Sequence, residues 1–485
     1  MVPSQPLPLP STATTPPASG PGAPGTGDPA AGAPPRRSAW SEGVERLRAG
    51  AGTEPGRLRI IGAALALLIV AFGAVTSWQT TARAGAADQV LNHSQPLSAD
   101  AADIYRSLAD ANTTESSGFL AGGQEPKEVR DTYAQDIATA SDKLAKAASN
   151  TQADPESAKA IAKLNGLLPR YTGYIERARA NNRQGLPLGA AYLRLANDLM
   201  QKQMLVQAER LYENENGRLH ADYDDATPYP WVAIGLGAVA LGALVWAQRR
   251  TYRRTNRVFN RGLLAATAAT TVVLLWLVVG HTVARLGLND SYEHGVRSLT
   301  VLDDARIASL QARSNENLTL ISRGAETVKD ENGTTVDAYD HAFNSEMNSL
   351  GGTDGGGGLL GRAAALADDA AGREPVADAI AQVKVWKSRH KAARDSDNAG
   401  DYAKALSKIV GAPGKPPTGD TTGDAFNKAD DALGKALKLE RSEFRASAGD
   451  GRGAMEGLPV GSAVLAVLGA AGALSGIGRR LSEYR

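Results

Sequence analysis

One pattern constrains this chain more than any other: a long apolar block, free of ionisable side chains, that occurs four times. The first, Ile60 to Trp78, reads IIGAALALLIVAFGAVTSW. The others run from Trp231 to Ala247, Leu263 to Gly280 and Leu458 to Gly478, and none contains Asp, Glu, Lys or Arg. An α-helix needs about 20 apolar residues to cross roughly 30 Å of hydrocarbon. Inside lipid a helix satisfies every backbone group within one segment, so span and helix are a single inference. The pattern predicts an all-α, multi-pass membrane protein with spans at 60–78, 231–247, 263–280 and 458–478. The first block starts too late and is too long for the apolar core of a cleaved leader.

Arginine sets the expected orientation. Arg57 and Arg59 precede the first span, and Arg479, Arg480 and Arg485 follow the last. The loop at 248–262 carries Arg249, Arg250, Arg253, Arg254, Arg257 and Arg261 with no acid among them. By the positive-inside rule this loop, the N-terminal tail (1–56) and the C-terminal tail (479–485) are cytoplasmic. The segments 79–229 and 281–457 then face outward. The six arginines are candidates for contact with anionic lipid or an acidic cytoplasmic partner.

Composition narrows the function. A net charge of +1 disfavours a nucleic-acid binder, and the absence of cysteine excludes disulfides and thiolate chemistry. The stretch Gly411-Ala-Pro-Gly-Lys415-Pro416 lacks the hydroxyl residue and the preceding strand of a phosphate loop. The six histidines show no metal-ligand spacing, and no nucleophile elbow or kinase signature is present. No enzymatic activity and no cofactor or metal is expected. The spans also lack the intramembrane charges typical of transporters and channels. The first 56 residues, rich in Pro, Gly, Ala, Ser and Thr, are expected to be disordered.

The order span, long outer segment, span occurs twice. A shift of 202 places Arg83 on Arg285, Ser107 on Ser309, Leu108 on Leu310 and Gly122 on Gly324; further on, a shift of 206 places Tyr133 on Tyr339. Both outer segments carry helical periodicity. Leu97, Ala101, Tyr105, Leu108, Asn112, Ser116 and Phe119 form one stripe, and Val296, Leu299, Asp303, Ile307, Leu310, Ser314, Leu318 and Ile321 its counterpart. Each segment reads as about four helices, so two tandem four-helix bundles, 79–229 and 281–457, are expected. Asn112 and Ser314 share one position in the two copies and are candidate polar determinants of register, or of a small pocket. Three pairs of small residues four apart, Gly62 and Ala66, Ala238 and Gly242, and Gly472 and Gly476, are candidate helix-packing positions within the spans.

Outer helical bundles that run directly into spans resemble the sensory domains of bacterial chemoreceptors and histidine kinases, although no cytoplasmic output module follows here. The doubled arrangement with a Pro-rich tail and Ala/Gly/Arg-rich composition resembles an actinobacterial membrane family. Its members are encoded with a glutamine-binding lipoprotein and the soluble serine/threonine protein kinase G. The resemblance covers nearly the whole chain and is architectural, so no binding residue is carried over. It implies a cell-membrane signal transducer for amino-acid sensing, with a solute-binding lipoprotein outside and a serine/threonine kinase inside. A homodimer belongs to the expected partners, alongside membrane lipid. A cell-envelope scaffold and an accessory transport subunit are the alternative readings.

Overall fold

The computed structural model describes residues 54–122, 125–150, 154–255, 260–411, 419–453 and 456–481. Most of the expected disordered tail, Arg257 and residues 412–418 lie outside them, and Arg254 is described by its helical backbone alone. The chain divides at Arg57 into two units, and the described part of the first is the opening turn of a helix.

The first copy comprises α1 (Glu54–Gln89), a π-helical turn (Val90–Ser94), α2 (Gln95–Leu120), α3 (Lys127–Asn150) and α4 (Pro155–Arg183). It continues with α5 (Leu188–Leu199), a second π-turn (Met200–Met204), α6 (Leu205–Ala226) and α7 (Trp231–Thr255). The second copy begins with α8 (Arg261–Asp290), a third π-turn (Ser291–Val296) and α9 (Arg297–Ser322). A hairpin of β1 (Thr327–Lys329) and β2 (Thr335–Asp337) follows, then α10 (Ala338–Gly351), α11 (Gly358–Leu366) and α12 (Ala370–Asn398). α13 (Tyr402–Val410), α14 (Thr422–Gly453) and α15 (Leu458–Leu481) complete it.

Four helices are long and apolar enough to cross a membrane, and these contain the four blocks read from the sequence. Leu67, Val70, Val239, Leu275, Val464 and Val467 stand exposed on their outer faces, where lipid would cover them. Their inner faces form a cluster of Leu65, Ala66, Ile69, Leu244, Ala266, Ala470 and Ala473. Asn260 caps α8, its Oδ1 accepting from the Gly262 and Leu263 amides at 3.1 and 3.4 Å, while its Nδ2 donates to the Gly476 carbonyl at 2.8 Å. That bond draws α8 onto α15. A Cβ on Gly262 would lie 2.3 Å from the Gly472 carbonyl oxygen and 2.6 Å from Gly476 Cα. Both neighbours are backbone and cannot swing aside, so Gly262→Ala is expected to destabilise the span bundle by about 1 kcal/mol. A lowered thermal midpoint in detergent checks this, with Gly242→Ala unchanged as the comparison.

Of the small-residue pairs, Gly62 lies against Ile477, and Gly472 and Gly476 lie against Gly262. Ala66 is buried in the same cluster. Ala238 and Gly242 do not pack between helices: both face outward, and nothing lies within 4 Å of a Cβ on Gly242. The contact face of α7 runs instead through Ala233, Gly237, Ala240 and Leu244, with Gly237 against Phe72. A spacing of four fixes a face but not which neighbour that face meets.

The outer stripes are buried. Ile161, Leu164, Leu168, Tyr171, Ile175 and Ala178 on α4, and Val376, Ala379, Val383, Trp386, His390 and Ala393 on α12, all point inward. The partition into two bundles takes a different form, however. One continuous core contains residues of both segments, from Ala87 and Leu108 through Tyr171 and Leu211 to Leu310, Trp386 and Phe444. α2 and α9 lie at its centre and are buried nearly all round. The second segment also departs from a simple four-helix count. Its descending helix is broken between α10 and α11 at the glycine run, and α13 is additional. A short hairpin, turned at Asn332–Gly333 with Gly333 at φ +77°, interrupts the helical pattern. An Asn-Gly pair between two Thr-Val dipeptides carries that hairpin in the sequence.

Candidate functional site

α2 and α9 continue α1 and α8 through π-turns, and the 202-residue shift carries Val90–Ser94 onto 292–296 within the second of these turns. A π-turn inserts one extra residue into the helical ladder, costs hydrogen-bond geometry and recurs at functional sites. The two turns stand at corresponding distances from their spans.

Beyond the π-turns the two helices run side by side in the same direction, so both outer segments occupy one side of the spans. Near the membrane the Tyr223 hydroxyl meets Ser291 Oγ at 2.8 Å and Tyr292 meets His220 Nδ1 at 3.2 Å. Further out, Arg441 on α14 donates to Asp103 at 3.1 Å, and Arg106 lies 3.7 Å from Asp303. The Thr113 hydroxyl then donates to the Leu310 carbonyl at 2.9 Å. Asn112 Nδ2 donates to Ser314 Oγ at 3.0 Å and to Asn197 Oδ1 at 2.9 Å. At the far end Asn317 donates to Ser117 at 2.8 Å. The candidate pair Asn112 and Ser314 is thus one hydrogen bond at the heart of the seam between the two segments. Each such bond contributes about 1 kcal/mol net, but an unpaired partner here would forfeit its full solvation, so the set fixes one register.

Two buried carboxylates escaped the sequence reading. Glu316 on α9 accepts from His390 Nδ1 at 2.9 Å and from Trp386 Nε1 at 3.2 Å, and pairs with Arg313. His390 Nε2 faces Asp340 at 3.2 Å and its ring stacks on Phe343 at 3.6 Å. Burial pushes the Glu316 carboxyl up, but Arg313 and His390 outweigh it and hold it below the usual range. His390 is raised, because Asp340 and Glu316 outweigh the desolvation of its charged form. In the first copy Glu115 on α2 lies 2.6 Å from Arg179 on α4. Here burial prevails over Arg179, and the carboxyl is pushed up to about 7. Both glutamates anchor a central helix to the third helix of its own copy. They stand 201 residues apart, one short of the shift that aligns their neighbours, which is why identity matching at 202 does not pair them.

A groove of about 770 Å³ opens along the seam between α6 of the first copy and α9, α10 and α11 of the second. Tyr105, Tyr212, Gln311, Glu209, Asp304 and Glu346 are among the residues that line it. Such a volume falls in the range of small-molecule sites. It lies outside the spans and is built by both copies together.

The basic stretch is helical rather than a loop at its start. α7 runs to Thr255, so Arg249, Arg250 and Arg253 continue the span's helix, and the Arg250 guanidinium lies 5.3 Å from the Trp246 ring. Arg261 opens α8. Among the described residues no group of three or more His, Asp or Glu side chains could hold a metal ion.

Residues 86–224 match a family model described as an actinobacterial sensor domain. The match starts in the last turn of α1 and ends in the last turn of α6, and so takes in most of the segment 79–229. It covers less than a third of the chain. No curated protein and no solved structure matches. The match supports a sensor-type actinobacterial protein with a sensing or signalling role, and the four long apolar helices fit a multi-pass membrane protein.

Proposed function

We propose that this chain is a non-enzymatic transmembrane signal transducer. Its paired outer segments would read an extracytoplasmic amino acid, directly or on a solute-binding lipoprotein, and relay the state through the spans to a cytoplasmic serine/threonine kinase. The sensor-domain match over 86–224, which lies between the first two spans, supports the sensing part of this reading. Two further observations support it. Helices α1–α2 and α8–α9 each follow one another through a π-turn from span to outer core, so a change of packing at the seam has a helical path inward. Their π-turns supply a place where helical register can change by one residue.

A ligand shifts such an element only by its differential affinity for two packings. The basic ends of α7 and α8, with both termini cytoplasmic, would present Arg249, Arg250, Arg253 and Arg261 to the inner partner or to anionic lipid. The test is in-cell crosslinking of the full chain from Lys163 and Lys391 on the outer segments and from Arg253, with and without added glutamine, glutamate or aspartate. A lipoprotein captured outside in an amino-acid-dependent manner and a kinase captured inside are expected. The same partners at the same yield in all conditions would overturn the reading in favour of a static scaffold. Altered solute uptake after deletion, with kinase substrates unchanged, would overturn it in favour of a transport subunit.

A further inference from the structure

Where the outer segments join the spans, two guanidiniums converge on the turn between α6 and α7. Arg83, on α1, donates from Nε to the Pro228 carbonyl at 2.8 Å and from Nη2 to the Tyr229 carbonyl at 3.4 Å. Arg285, on α8, lies over the ring of the same Tyr229, 4.9 Å from its centroid. A third basic group, His281, is buried and packs edge-on against that ring at 5.1 Å. Among the described residues neither guanidinium forms an ion pair, and the acids closest to the turn in sequence, Asp224 and Asp225, stand exposed on α6 and engage neither. Two permanent cations therefore share one place without a counter-charge, and both are only half-buried.

Depth identifies what can supply that charge. At about 1.5 Å per residue, Arg83 stands about 7.5 Å beyond Trp78, and Arg285 as far beyond Gly280. The headgroup layer on each side of the hydrocarbon is roughly 5–8 Å thick. The surface beside the pair is apolar and uncovered. Val283 and Leu286, which flank Arg285 on α8, are 50% and 64% exposed. Trp231, whose ring lies 5.4 Å from Tyr229, is 70% exposed. This surface continues the lipid-facing sides of the spans, with the indole where interfacial tryptophans stand. The orientation preference gathers cations at the opposite ends of the spans, beside Arg249 and Arg250, and so gives no account of arginine here.

We infer that Arg83 and Arg285 bind the phosphodiester of an anionic lipid in the leaflet next to the outer segments, its acyl chains lying against Val283, Leu286 and Trp231. Guanidiniums take phosphate oxygens through paired, charge-assisted hydrogen bonds. No carboxylate is in place to receive a choline or ethanolamine ammonium, so the site favours lipids of net negative charge over zwitterionic ones. The bound lipid would tie α1, α8 and the α6–α7 turn together at the membrane surface. The inference is independent of the amino-acid reading.

Photolabelling of the full chain in phosphatidylcholine nanodiscs is the test. The probe is a phosphatidylglycerol carrying a diazirine beside its glycerol, and labelled peptides are mapped after proteolysis. Label is expected on 229–232 and 283–286, about tenfold or more above that from the matching phosphatidylcholine probe, since each arginine near the surface contributes about fivefold. Excess soluble glycerol phosphate should not compete. Arg285→Gln gives up only the contact with the Tyr229 ring and should lower this label about fivefold with an unchanged helical spectrum. Arg285→Lys should retain most of it, and label near Arg250 should be unchanged in both variants. Equal labelling by the two probes, or undiminished label in Arg285→Gln, would overturn the inference. So would competition by glycerol phosphate, which would make this a site for a soluble anion.

Discussion

Replacing Glu316 with alanine is expected to lower stability by about 3–5 kcal/mol, because it leaves two buried cationic groups without their counter-ion. The carboxylate is fully enclosed and joins α9 to α12 through His390 and Trp386, and to Arg313 one turn away on its own helix. Asp340 would remain for His390, but Arg313 would keep only the Thr422 hydroxyl at 2.9 Å and the Ile409 carbonyl at 3.4 Å. The pH dependence follows from the two directions. Glu316 is depressed, so its contribution is present above the ordinary carboxylate range and is lost as pH falls through its lower folded value. His390 is raised, so its contribution is complete below about 6.5 and is lost as pH rises through its higher folded value. Thermal midpoints measured from about pH 2 to pH 9 in detergent should show the parent's acid-side loss much reduced in Glu316→Ala. A variant within 1 kcal/mol of the parent would contradict the cluster's structural role.

The second large effect has the opposite sign. Asp136 on α3 faces Asp110 on α2, with Arg106, Arg306 and Asp430 around them. Arg306 is committed to Asp430, its Nη2 donating to Oδ2 at 2.7 Å. Burial first, and Asp110 next, push the Asp136 carboxyl up to about 8, while Asp110 is held at about 6 by burial and Asp430. The folded state thus keeps a proton that the unfolded chain releases near pH 4, and stability declines as pH rises between those values. Asp136→Asn removes that ionisation and keeps the shape. It should stabilise the protein by about 2 kcal/mol at pH 8, after discounting for solvent screening, with little effect at pH 4. Denaturation midpoints at the two pH values check this, and a destabilised variant at pH 8 would contradict it.

How much of this was readable from residues alone depends on the kind of residue. Apolar stripes on α4, α12 and α14 were legible because Leu164, Tyr171, Val383 and Leu433 repeat at three and four against a polar background. The central helices show one stripe each, but not their burial on nearly every side. α2 and α9 bury Asp103, Thr113, Glu115, Ser298, Arg313 and Asn317, residue types that signal a solvated face unless a partner is known. Thr113 and Asn317 find their partners about 200 residues away, at Leu310 and Ser117, whereas Glu115 and Arg313 pair within their own segment at Arg179 and Thr422, so only the folded chain reveals that the seam is interior. Asn112 and Ser314 stand out in the sequence because both interrupt a stripe, yet their mutual hydrogen bond follows only from the parallel packing. Span boundaries fail for a physical reason as well. Apolar composition ends at Ala247, whereas the backbone ladder continues through Arg249, Arg250 and Arg253, good helix formers whose charges can leave the hydrocarbon while the helix persists. The glutamate anchors, Glu115 and Glu316, carried a signal in their near-equivalent positions, but the one-residue offset hides it.

The Asp136 effect, the groove and the relay all depend on the two segments being folded against each other along α2 and α9. The native chain has no cysteine, so a single introduced pair reports on this contact alone. Ser117 and Asn317 meet across the seam at 2.8 Å. In the full chain carrying Ser117→Cys and Asn317→Cys, mild oxidation in native membranes should give a disulfide within one chain, detected as a linked peptide pair after proteolysis. Lys163→Cys with Lys391→Cys should remain reduced. Free thiols at positions 117 and 317, or a disulfide formed only between chains, would contradict the shared core.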